Sequence, residues 1–218
     1  MGDTLNSTFE LQTERGELFW WPLLLEALSW HGFHFTAPGK PPGVGYYFYR
    51  SSVQEEDSDF VCGSFRELWE RIVDRRAQVM VSLWSSTADS FPLDLLIASG
   101  GNAAALSVSL GCDDAYLGSD DVDPETVKER LRLLWECSKT LFVACQPCRG
   151  ELSWGEAAPG TPALASFGQP LEVSEEVRHR WRLQVQDLVL PGGERIFVAQ
   201  PWYVRRRQGE LAYWPLED

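Results

Sequence analysis

Cys145 and Cys148, in the stretch FVACQPCRG, are the residues whose type and spacing come closest to chemistry. A Cys-x-x-Cys pair can aim two thiolates at one ion and supply half of a tetrahedral zinc site. Closure needs two more ligands, and His31 and His34 of WHGFHF, also three apart, are the matching pair. The same cysteine spacing serves thiol–disulfide exchange when the first thiol stands at a helix N-terminus, whose dipole lowers its pKa. Gly150 and the polar run that follows argue against a helix there. The expectation is therefore structural: two small side chains at the end of a strand, with Pro147 turning the chain. No metal and no cofactor is expected.

Other candidate motifs lack a necessary part. SDDVDPE places acids at 121, 123 and 125, as a calcium loop begins, but Thr126 stands where glycine is required and Arg132 where the closing glutamate is required. Asp123 and Pro124 read instead as the start of a helix. The glycines of ASGGNAA precede a strand, whereas a phosphate loop must lead into a helix. Nucleophile-elbow, zinc-protease and Walker motifs are absent. His179 has Glu175 four residues before it and no further partner nearby in sequence.

Charge is more informative. The formal net charge is −13. Residues 51–125 carry fifteen acids and four bases, a balance of −11, and residues 178–210 carry seven arginines and three acids, a balance of +4. Such a chain repels nucleic acid and attracts basic proteins. Asp57, Asp59, Asp113, Asp114, Asp120 and Asp121 are the candidate partner-binding carboxylates, because they fall in loops. The C-terminal stretch PWYVRRRQGELAYWP sets Arg205, Arg206 and Arg207 among Trp202, Tyr203, Tyr213 and Trp214. Guanidinium forks beside aromatics have the composition of interface hot spots, and this patch is a second candidate.

Five cysteines without a framework spacing imply reduced thiols in a cytosol. No run is long and apolar enough for a membrane span, and MGDTLNSTFE has neither the basic start nor the apolar core of a secretory signal. Sixteen arginines against three lysines fit a GC-rich bacterial genome.

The elements that must position these residues read as follows. WWPLLLEALSWHG is a helix with Pro22 at its first position and Gly32 just past its end. SFRELWERIVDRR is a second, opened by the capping box Ser64 and Glu67. A third begins at Asp123 and buries Val127, Leu131, Leu134 and Trp135; a strand is expected over 140–145. Residues 46–50, 78–84, and the runs PLDLLIAS and AALSVSLG read as strands. Residues 147–170, rich in proline and glycine, read as a surface loop, and residues 1–16 as irregular or a short edge strand. A helix starting at Ser174 and two hairpins complete the chain. The expected fold is α+β: a largely antiparallel sheet with helices packed on one face. One domain of 1–218 is expected, with a subdomain break near 150.

In size, acidity and mixed α/β character the chain resembles bacterial toxin-immunity and inhibitor proteins. That resemblance implies a small acidic cytosolic protein that blocks a basic partner protein such as a toxin. The alternatives are an enzyme or small-ligand binder with a pocket lined by Trp and Tyr, and a homo-oligomeric protein whose aromatic hairpins pair edge to edge.

Overall fold

A computed structural model describes residues 4–36, 43–50, 60–64, 66–68, 70, 78–86, 91–99, 105–117, 122–146, 148–155, 162–205 and 211–214. The architecture is α+β, and its strands pair antiparallel. The chain forms two compact units, one of Met1–Leu11 with Gly111–Asp218 and the other of Gln12–Leu110. Gly150 lies within a strand of the first unit.

The second unit contains α1 (Glu17–Ser29), β2 (Phe33–His34), β3 (Val44–Arg50), β4 (Phe60–Cys62), β5 (Gln78–Ser85) and β6 (Pro92–Ser99), and the start of β7 (Ala105–Asp113). Its strand order is β7-β6-β5-β3-β4, with β2 also on β5. Alternation decides the buried face: Leu93, Leu95 and Ile97 on β6 and Leu106, Val108 and Leu110 on β7 point into the core. Helix α1 packs on β6 and buries Trp20, Trp21, Leu24, Ala27 and Leu28. It begins a full turn before Pro22, which therefore lies inside the helix rather than at its first position. Gly32, with φ of +80°, follows the helix as expected; a Cβ there would come within 2.7 Å of Ser86 Oγ. The Ser64 cap is present: Glu67 N–H donates to Ser64 Oγ at 3.2 Å, and Glu67 Oε2 accepts from Gly63 N–H at 2.9 Å.

The first unit contains β1 (Thr4–Gln12), α2 (Asp114–Leu117), α3 (Pro124–Ala144), β8 (Cys148–Trp154), β9 (Ala165–Phe167), α4 (Glu175–Trp181), β10 (Gln184–Val189) and β11 (Arg195–Gln200). The strand order is β10-β11-β9-β8-β1. A separate hairpin joins β12 (Trp202–Arg205) to β13 (Leu211–Trp214), with Trp202 opposite Trp214 and Tyr203 opposite Tyr213.

Three expectations are corrected here. Residues 4–12 form a nine-residue strand, longer than the short edge strand or irregular start expected, with Leu5, Ser7, Phe9 and Leu11 all buried. Residues 140–144 continue α3 instead of forming a strand, because the buried row Leu134, Ser138, Leu141 and Cys145 keeps helical spacing through that region. The expected loop over 147–170 holds β8 and β9. Its glycine at 150 is a packing residue: Gly150 lies opposite Phe9 on one neighbouring strand and Phe167 on the other.

Helix α3 starts where Asp123 accepts from Thr126 N–H at 3.1 Å and Pro124 opens the first turn. It crosses the buried face of β1 and brings Trp135 and Phe142 to Phe167, at centroid distances of 5.8 and 5.4 Å. One polar contact is sealed in this layer. Ser138 donates to Leu134 O at 2.7 Å, so the Ser7 hydroxyl, 2.5 Å away, donates to Ser138 Oγ. Ser138→Ala alone orphans the buried Ser7 hydroxyl and is expected to cost about 1–3 kcal/mol. Ser7→Ala with Ser138→Ala removes both polar groups and should recover much of that loss; urea unfolding of the four-member cycle reads the difference.

Candidate functional site

The first unit carries a groove of about 630 Å³, within the size range of binding sites. It is built above a small satellite core in which Leu171, Leu183 and Ala199 are buried and Val173, Val177 and Ala163 pack against them. Strand β8 contributes Glu151, and β9 contributes Ser166, its register partner. Ser166 is 4% exposed and its hydroxyl donates to Gln169 O at 2.9 Å, which fixes the turn after β9. The chain then turns through Gly168, whose φ of +75° and approach to Cys148 O leave no room for a Cβ.

From there Pro170–Val173 forms one wall, outside any helix or strand, and leads into α4. Ser174 caps that helix by accepting from Val177 N–H at 3.3 Å. Pro162, Ala163, Pro170, Leu171, Val173 and Val177 give the groove its apolar lining. Its ionisable described lining residues are Glu151 and Glu172, both exposed, and neither forms an ion pair with a described residue. Glu175 and Glu176 follow in the first turn of α4, while Arg178, His179 and Arg180 stand in its last turn.

Helix α4 ends on Arg182 with φ of +52°, a left-handed conformation that costs a side-chain-bearing residue about 1–2 kcal/mol. Arg182→Gly is expected to raise stability by up to about 1 kcal/mol, seen as a higher urea midpoint with the slope unchanged.

The residues singled out by sequence are distributed as follows. Asp113 is exposed and accepts from Ala115 N–H at 2.8 Å, which caps α2; Asp114 is the first residue of that helix. Asp57, Asp59, Asp120, Asp121, Arg206 and Arg207 lie outside the described residues. Tyr203, Arg205, Tyr213 and Trp214 are placed in backbone on the β12–β13 hairpin. Trp202 is 1% exposed, with its ring edge-on to Trp135 at 5.4 Å, so this indole is part of the core.

Cys145 follows the last turn of α3 and is fully buried, and Cys148 opens β8. Burial pushes the Cys145 thiol far up, with the neighbouring Cys148 adding to it, and burial pushes Cys148 up to about 12. Both thiols therefore stay protonated at neutral pH, the form that neither attacks nor ligates. Cys137, on α3, is raised by burial and then by nearby Glu136. His31 is half-buried and His34 exposed. Among the described residues, no group of three or more His, Cys, Asp or Glu side chains is arranged to hold a metal ion.

The raised thiol sets a pH dependence. Below pH 9.0, the ordinary value, folded and unfolded chains both hold the Cys148 proton. As pH climbs from 9.0 toward 12 the unfolded chain ionises first, so the contribution of this group to stability is lost across that window. Urea midpoints should fall more steeply there for the parent than for Cys148→Ser. At pH 8, iodoacetamide should modify Cys145 only in the unfolded protein, as read by peptide mass mapping.

Sequence reasoning missed the groove. Glu151, Ser166 and Glu172 are isolated polar residues within what reads as loop, and only the β8–β9 pairing brings them together. It also missed exposed apolar residues along α1 and just past its end, where Phe19, Leu23 and the C-cap Trp30 are 45%, 37% and 74% exposed. Arg15 stacks over the Phe19 ring at 4.1 Å.

The geometry defines an α+β protein with an open groove of mixed polar and apolar lining that carries two carboxylates. No protein-family model, no curated protein and no solved structure matches this chain.

Proposed function

We propose that this chain is an acidic binding protein whose partner is a basic protein, in the manner of a bacterial immunity or inhibitor protein acting in the cytosol. The observation that carries the reading is the charge of the groove: its described ionisable lining residues are two glutamates without a described counter-ion, in a chain of net charge −13. Opposite charges steer encounter and raise the association rate, and apolar surface around them supplies affinity once water is excluded. The buried, protonated thiols support binding over thiol chemistry.

The test is capture from the native cell followed by kinetics on the purified pair. The expected partner is basic, and its association rate falls by about tenfold or more as salt rises from low to physiological ionic strength. Capture of a neutral or acidic partner, or an association rate indifferent to salt, overturns the reading.

A further inference from the structure

The groove has an unusual wall. Leu171, Glu172 and Val173 lie outside helix and strand, and none of their backbone N–H or C=O groups pairs with a described residue. Gln169 O accepts from the Ser166 hydroxyl and Pro170 has no N–H, so Leu171 is the first residue of the wall to offer both an N–H and a C=O. Leu171 is only 7% exposed because its side chain belongs to the satellite core beneath the groove. Main-chain groups that no described residue pairs, set along a groove, suit recognition of an extended peptide: they give affinity, and the side chains beside them select sequence.

Those neighbouring side chains are selective. Glu151 from β8 and Glu172 from the wall are carboxylates without a described ion-pair partner, and Ala163, Val173 and Val177 lie among them as partly exposed apolar surface. A lysine or arginine suits that mixture, because its aliphatic stem covers apolar surface while its charged end reaches a carboxylate. A second copy of this chain, at −13, is electrostatically disfavoured as the occupant.

We propose that the groove receives a short extended basic segment of the partner protein, paired by backbone hydrogen bonds to Leu171–Val173 and by its cationic side chains to Glu151 and Glu172. This rests on the reading of the chain as a binder of a basic protein.

The probe is an acetylated, amidated heptapeptide of alternating lysine and leucine, titrated into the full chain by calorimetry and by amide NMR. Binding is expected, with the amide resonances of Leu171, Glu172 and Val173 shifting. Glu151→Gln with Glu172→Gln, both exposed and isosteric, should weaken binding about tenfold. Glu172→Arg should weaken it further, and N-methylation of alternate peptide bonds should weaken it by a similar factor. Absence of binding, shifts confined to other residues, or full affinity in the double glutamine variant would each overturn the groove. Spermidine binding as tightly as the peptide would do so too, by marking a small-cation site. The two failures are separable: if a captured basic partner binds the double glutamine variant as tightly as the parent, the groove falls and the binding function stands.

Discussion

Phe167→Ala is expected to lower the unfolding free energy by about 3–5 kcal/mol, enough to consume much of the stability of an ordinary domain. Phe167 is fully buried on β9, and three rings meet it: Phe9 edge-on at 5.1 Å, Phe142 at 5.4 Å and Trp135 at 5.8 Å. These come from β1 and α3, so one side chain ties a three-residue strand to two longer elements. Truncation removes its buried area and leaves a void that rigid rings on three sides fill poorly. Phe167→Leu keeps much of the volume and should cost clearly less. Denaturant unfolding with an unchanged slope checks both; a loss below about 1 kcal/mol for the alanine variant would show that the ring cluster does not organise this core.

The second large effect comes from adding atoms. A Cβ at Gly150 would stand 2.4 Å from Phe9 Cδ1 and 2.7 Å from the Thr8 carbonyl oxygen. The carbonyl is backbone held in the β1–β8 ladder, and the Phe9 ring is held by Phe142 and Phe167, so neither yields cheaply. Gly150→Ala should therefore cost about 1–3 kcal/mol, and Gly150→Val more, because it also forces the rings apart. Gly16→Ala is the control for the added Cβ: nothing lies within 4 Å of it, so only the poorer N-cap propensity of alanine should register, a loss of under about 1 kcal/mol. Equal effects at the two glycines would mean that the slot between Phe9 and Phe167 is not closed.

Each variant also bears on the groove. Glu151 follows Gly150 on β8, and Ser166 precedes Phe167 on β9. The residues that lock the ring cluster thus set the register that brings Glu151 to Ser166. A partial loss of that packing should weaken peptide binding before it unfolds the chain, and the Leu171–Val173 amide shifts would report it.

Particular elements mark how far the sequence could be read. The start of α3 was legible because a cap and a proline act within one turn. So was the hairpin of β10 and β11, whose turn contains Gly193 at φ of +93°. The end of α3 reads as strand because TLFVA has strand-like composition, yet its helical row of buried residues is present. Strands β8 and β9 are hidden in the sequence because proline and glycine content reads as loop chemistry, whereas Gly150 leaves room for the Phe9 ring that packs against Phe167.

The amino-acid order by itself determined the α+β class, the antiparallel hairpins, the first turn of α3 and the net negative charge. These are local properties: periodicity, capping and turn chemistry act over a few residues, and charge is a sum. Tertiary structure alone decided that Phe9, Phe142 and Phe167 share one cluster and that Trp202 is buried. It alone set Glu151 beside a wall whose backbone pairs with no described residue, some twenty residues further along the chain. Such contacts depend on strand register, and register is settled by which buried side chains fit together across distant segments.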